Sequence, residues 1–118
     1  MGDFKKEMRK NKRRHTIFYT KVIDKTNGLE VGRLADITTS GVLLTTEDRI
    51  ENDQYFTLEV VLPQEMEGHN SISFEAKSVW CDKDVNPDHY ITGFEIEEIS
   101  YRDKQLIVGF INRYGFQD

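Results

Sequence analysis

The sequence predicts a mainly β protein: a small six-stranded antiparallel barrel followed by one C-terminal helix. Three observations carry that expectation. Strand-like segments recur at short spacing with one-sided apolar patterning, as in Gln54 to Leu62, where Phe56, Leu58, Val60 and Leu62 share one face and Thr57 and Glu59 take the other. Asn27-Gly28 between two such segments is a strong hairpin-turn signal. Near the end, Leu106, Ile107, Phe110, Ile111 and Tyr114 recur at helical spacing. Short strands with one apolar face would leave exposed edges in an open sheet, so closure into a barrel is the expected solution.

Residues 1–14 have few apolar groups and a dense run of like charge, and are expected to form a flexible arm when free. The first strand is expected from His15 to Asp24, rich in Ile, Phe, Tyr, Thr and Val, and the second returns from Leu29 to Ile37. Asp36 to Gly41 reads as a tight polar turn, since Asp, Thr and Ser can bond their own backbone and Gly41 can supply a positive φ or a close backbone approach. Val42 to Thr46 makes a short third strand and Gln54 to Leu62 the fourth, closed by Pro63. After a loop over Gln64 to Asn70, Ser71 to Cys81 is the fifth strand, with Ile72, Phe74, Ala76, Ser78 and Trp80 expected on one face. Asn86-Pro87 turns the chain into the last strand, His89 to Glu97. The helix then begins at Ser100-Tyr101-Arg102-Asp103, a capping box with Asp in place of Glu, and stops at Gly115. Its apolar face is expected either over the barrel end or against a second copy of the chain, which leaves a homodimer open.

At 118 residues the chain fits one domain, with 37% hydrophobic and 11% aromatic residues, enough to build a core. The single Cys81 cannot form an internal disulfide, and the three histidines lack ligand spacing, so neither a metal nor a redox pair is expected. A reducing cytoplasm is the simplest compartment. No apolar run is long enough to span a bilayer or to serve as a signal-peptide core, which excludes membrane insertion and secretion as expectations. No nucleophile has an assigned partner base and no Gly-rich loop opens a helix, so no enzyme activity is expected.

The net charge of −5 conceals an asymmetry. Residues 1–14 hold seven Lys/Arg against Asp3 and Glu7, a net +5, while the remainder holds nine against nineteen Asp/Glu, a net −10. Taken alone, such an arm is a solubilising tail. Clustered Arg9, Arg13 and Arg14 can also grip phosphate bidentately, donate a fork to guanine O6 and N7, and stack on a purine. The acidic body, with its aromatics on core-like faces, disfavours nucleic acid as the partner.

An Arg-xxx-Arg element followed after a hairpin's length by Asp-x-Ser/Thr-x-x-Gly resembles the PilZ domain family. Arg9, Arg13, Asp36, Thr38 and Gly41 stand at matching positions, with Thr38 where the family usually has Ser; Ser78-Val79-Trp80 and Thr92-Gly93-Phe94-Glu95 resemble its late strand pair. The resemblance implies a PilZ-type β-barrel over residues 15–118, with its helix at about 100–114, and a receptor for cyclic di-GMP rather than an enzyme. The ligand would bridge Arg9, Arg13 and Arg14 to Asp36, Thr38 and Gly41, and a downstream protein would read the result. In that site Asp36 would accept from guanine's ring-edge donors or orient an arginine. Trp80 would be core or a wall beside a base. Two registers stay open: Arg9 with Arg13, or Arg13 with Ile17, in which the second arginine is missing and the domain would act as a protein-interaction module without nucleotide.

Overall fold

The computed structural model describes residues 20–62 and 71–114. The expected arm with Arg9, Arg13 and Arg14, the start of the first strand, the loop after Pro63 and the stop at Gly115 lie outside the described residues. Within them the chain runs β1 (Lys21–Asp24), β2 (Leu29–Ile37), β3 (Gly41–Thr46), β4 (Tyr55–Val61), β5 (Ser71–Lys83), β6 (Tyr90–Glu98) and α1 (Tyr101–Tyr114). The strands close into an antiparallel barrel in the order β1-β2-β3-β6-β5-β4, with β4 returning to β1. Both the six-stranded barrel and the terminal helix agree with the sequence reading, and the strand limits shift by one or two residues.

Closure rests on the shortest strand. Val22 pairs with Gly32 on one side and with Val60 on the other, so four residues complete the cylinder. The β1–β2 connection is a four-residue loop rather than a two-residue turn. Gly28 at φ 74 donates to the Asp24 carbonyl at 2.8 Å, while the Asp24 carboxylate accepts the Thr26 amide at 2.9 Å.

The barrel interior is apolar: Val22, Leu34, Leu44, Leu58, Ile72 and Phe94 are wholly buried, and Phe56 meets Phe94 edge to face at 5.5 Å. Antiparallel pairing fixes what lies at each end. β2 finishes, β3 begins and β6 finishes at one end, where α1 starts and lays Ile107 and Phe110 against the core. The barrel therefore takes up the helix's main apolar face. At the other end the link from β3 to β4 crosses over with Ile50 against the core. Buried Ser78 anchors this link, its hydroxyl donating to the Glu51 carbonyl at 2.6 Å and accepting the Gln54 amide at 2.9 Å.

The helix cap differs from the expected box in one respect. Ser100 Oγ accepts the Asp103 amide at 3.0 Å, but the Asp103 carboxylate, one methylene shorter than Glu, accepts the Ser100 hydroxyl at 3.1 Å.

Two glycines give opposite predictions. A Cβ on Gly32 would overlap the Thr45 carbonyl oxygen and come within 2.9 Å of Thr46 Cγ2, whereas one on Gly109 of α1 meets nothing within 4 Å. Gly32→Ala is expected to cost about 1–3 kcal/mol and Gly109→Ala to stabilise by about 0.5–1 kcal/mol, read as opposite shifts of the urea midpoint at constant m.

Candidate functional site

Asp36 and Ile37 belong to the end of β2 and Gly41 to the start of β3, so the polar hexapeptide is a strand end, a tight turn and a strand start. The turn is centred on Thr38. Its amide donates to the Gly41 carbonyl at 2.9 Å, and its hydroxyl oxygen accepts the amides of Ser40 at 3.1 Å and Gly41 at 3.2 Å. The same oxygen lies 3.2 Å from Ser40 Oγ. The Thr38 hydroxyl thus bonds its own backbone and organises the turn, as expected of Thr in this segment. The Ser40 carbonyl accepts the Ile96 amide at 2.9 Å, which ties the turn to β6.

Of the two uses expected of Gly41, positive φ is not the one it serves, because among the described residues the positive-φ glycine is Gly28. Its position supplies a buried strand start whose neighbour on β6 is Glu95.

Asp36 reaches the outer wall through an irregularity. Leu34 pairs with Leu44 and Asp36 with Leu43, so Ala35 is an extra residue on β2. Without it, alternation would place Asp36 on the same side as buried Leu34. Asp36 is instead half-buried on the outside, with Oδ1 accepting the Ile37 amide at 2.8 Å.

A second bulge corrects the reading of Trp80. Ser78 pairs with Phe94 and Trp80 with Gly93, leaving Val79 as the extra residue on β5. Beyond it the inner face passes to Cys81, whose Sγ accepts the Thr92 hydroxyl at 3.3 Å, and that hydroxyl lies 3.1 Å from Thr46 Oγ1. Trp80 thus leaves the face of Ile72, Phe74, Ala76 and Ser78 and stands, half-buried, on the outer wall beside Gly93.

The two bulges flank one continuous outer row. Asp36 pairs with Leu43, Leu43 with Gly93, and Gly93 with Trp80, spanning four strands. The next row towards the turn is Gly41, Glu95, Lys77 and Tyr55. Sequence alternation could not place the first of these rows, because Asp36 and Trp80 reach it through bulges that have no distinctive residue. The arrangement is a shallow wall with a carboxylate at one edge and an indole at the other. Two clefts lined by described residues, of about 420 and 500 Å³, include none of Asp36, Thr38 and Gly41. Among the described residues no cluster of His, Cys, Asp and Glu could hold a metal, and no helix is long and apolar enough to cross a membrane.

The carbonyl of Thr20, the first described residue, accepts the Leu34 amide at 2.7 Å. The chain therefore joins the barrel beside Leu34, two positions from Asp36 and at the barrel end that carries the turn.

The PilZ domain model matches residues 7–113, nearly the whole chain. The chain belongs to the PilZ domain family. Two solved structures share this PilZ fold. Inhibitor of motility (MotI/DgrA) from Bacillus subtilis superposes with a TM-score of 0.66 at 19% identity, over 86% of this chain and 50% of that one, so the chain spans about half its length. The PilZ domain of YcgR from Escherichia coli, solved with c-di-GMP, superposes with a TM-score of 0.62 at 14% identity, over 87% of this chain and 92% of that one. Among curated proteins none matches this PilZ chain in sequence.

Since the Thr38 hydroxyl satisfies two turn amides, Thr38→Val should cost about 1–2 kcal/mol and speed amide exchange at Ser40 and Gly41, while Thr38→Ser should preserve both. Unchanged exchange in the valine variant would contradict this role.

Proposed function

We propose that this PilZ domain is a cyclic di-GMP receptor that signals through its N-terminal arm and performs no chemistry on the ligand. Arg9, Arg13 and Arg14 grip the phosphates and guanine faces of the dinucleotide, while Asp36 and the turn formed by Thr38 and Gly41 hold its other side. The observation that supports this reading is the position of Thr20: the described chain begins with a bond to Leu34, two residues from Asp36 and at the turn end. A shallow wall binds a small ligand poorly by itself, because such ligands need most of their surface covered. An arginine-rich arm hinged beside the wall supplies a second jaw.

The charges divide the work. A carboxylate at Asp36 repels phosphate but accepts from guanine N1–H and N2–H, which adenine does not offer. The arm's seven cations within residues 5–14 repel one another until a dianion pairs with them. Trp80, turned outward by the Val79 bulge, offers an aromatic wall at the far edge of the row. The arm fixed by ligand then forms a new surface with the barrel end and α1, which a downstream protein reads. The family membership and the c-di-GMP held by the YcgR domain support the same reading.

A second reading follows from Thr38. Its hydroxyl oxygen accepts two turn amides, so the turn keeps its shape without a ligand, as a protein-interaction module lacking nucleotide would require.

Isothermal titration separates the two. Cyclic di-GMP should bind, with cyclic di-AMP and GTP much weaker, and affinity should fall with added salt. Arg9→Ala and Arg13→Ala should each weaken binding by roughly ten- to a hundredfold. An inert Arg9→Ala beside a damaging Arg13→Ala would select the register with Ile17. Amide exchange over residues 5–14 should slow on saturation, and absence of any binding by the full chain would leave the interaction module as the function.

A further inference from the structure

We infer that Lys77 is a barrel-borne phosphate contact, a cation on the wall itself that completes the ligand site together with the arm. The inference rests on the cyclic di-GMP reading and adds a residue outside both sequence motifs. Lys77 lies on the outer wall of β5, in the row of Gly41 and Glu95 and next to the row of Trp80, Gly93, Leu43 and Asp36. Its diagonal neighbour across the strand pair is Gly93, at the spacing of about 7–8 Å that a lysine side chain spans. Gly93 has no side chain to obstruct that path.

The environment of Lys77 also singles it out. Its direct cross-strand partner is Glu95, yet no ion pair joins them, and among the described residues the Lys77 ammonium has no hydrogen-bond partner. The other cation of β5, Lys83, is engaged by the Pro87 carbonyl at 3.0 Å and by the Tyr90 ring. β3 and β6 contribute no Lys or Arg at all. Lys77 is therefore the positive charge that β5 presents beside the row of Asp36, Leu43, Gly93 and Trp80, in a half-buried setting where part of its hydration is already lost. A dianion placed over this row would face Glu95 and Asp36, and Lys77 offsets that repulsion from the barrel side while the arm does so from outside. A compact ammonium suits this position, since it acts as a point charge with rotatable donors and needs no planar partner.

The test is titration of cyclic di-GMP into the full chain and into Lys77→Met and Lys77→Arg across a salt series, with thermal unfolding to verify the fold of each. Lys77→Met should bind about tenfold more weakly and lose part of the salt dependence, while Lys77→Arg should keep most of the affinity. If the wild-type chain binds and Lys77→Met matches it in affinity and salt slope, Lys77 is only a solvated charge on an acidic face, and the receptor reading stands without it. If the wild-type chain does not bind, the receptor reading fails and takes this inference with it.

Discussion

Two single-residue insertions determine what this barrel shows to solvent. A bulge forces two residues of one strand to oppose one residue of its neighbour, and everything beyond it changes face. Ala35 does this on β2 and Val79 on β5. Because they sit in strands separated by β3 and β6, they turn Asp36 and Trp80 outward at opposite ends of one row, with Leu43 and Gly93 as the floor between them. Closure of the sheet then keeps the row in place, for a closed cylinder has no edge along which a register can slip.

Most of the architecture was legible in the sequence because it follows from repeated patterns. Alternation from Phe56 to Leu62 marked the inner face of β4, the spacing of Ile107 and Phe110 marked the buried face of α1, and Ser100 marked its cap. The site was legible only in part. The spacing of Asp36, Thr38 and Gly41 located the turn, but their tasks depend on hydrogen bonds that spacing does not encode: Thr38 closes the turn on itself, and Gly41 needs no positive φ. Trp80 was assigned to the inner face because unbroken alternation is the natural assumption along a strand. Val79 carries no local sign that it is an extra residue. Lys77 belongs to neither sequence motif, and only the pairing of β5 with β6 and of β6 with β3 brings it into the row of Glu95 and Gly41.

The distribution of polar groups sorts the two ends of the barrel by task. At one end the β3–β4 link is sewn down by Ser78, and a short ladder of Thr46, Thr92 and Cys81 fills the interior with satisfied polar contacts. At the other end the chain enters at Thr20, the Thr38 turn projects, and α1 departs from β6. Entry, turn and helix share one rim.

The brevity of β1 has a mechanical consequence. Residues 22 and 60, far apart in sequence, must meet before the cylinder exists, and the strand that joins them is the one with the fewest bonds to lose. Such a non-local seam forms late in folding and opens early under thermal motion, because loop closure has to precede its reward. Residues 1–19 precede this seam in the chain. On the receptor reading, a ligand that fastened those residues to the barrel would also hold the seam shut and so raise the resistance of the barrel to opening by mass action.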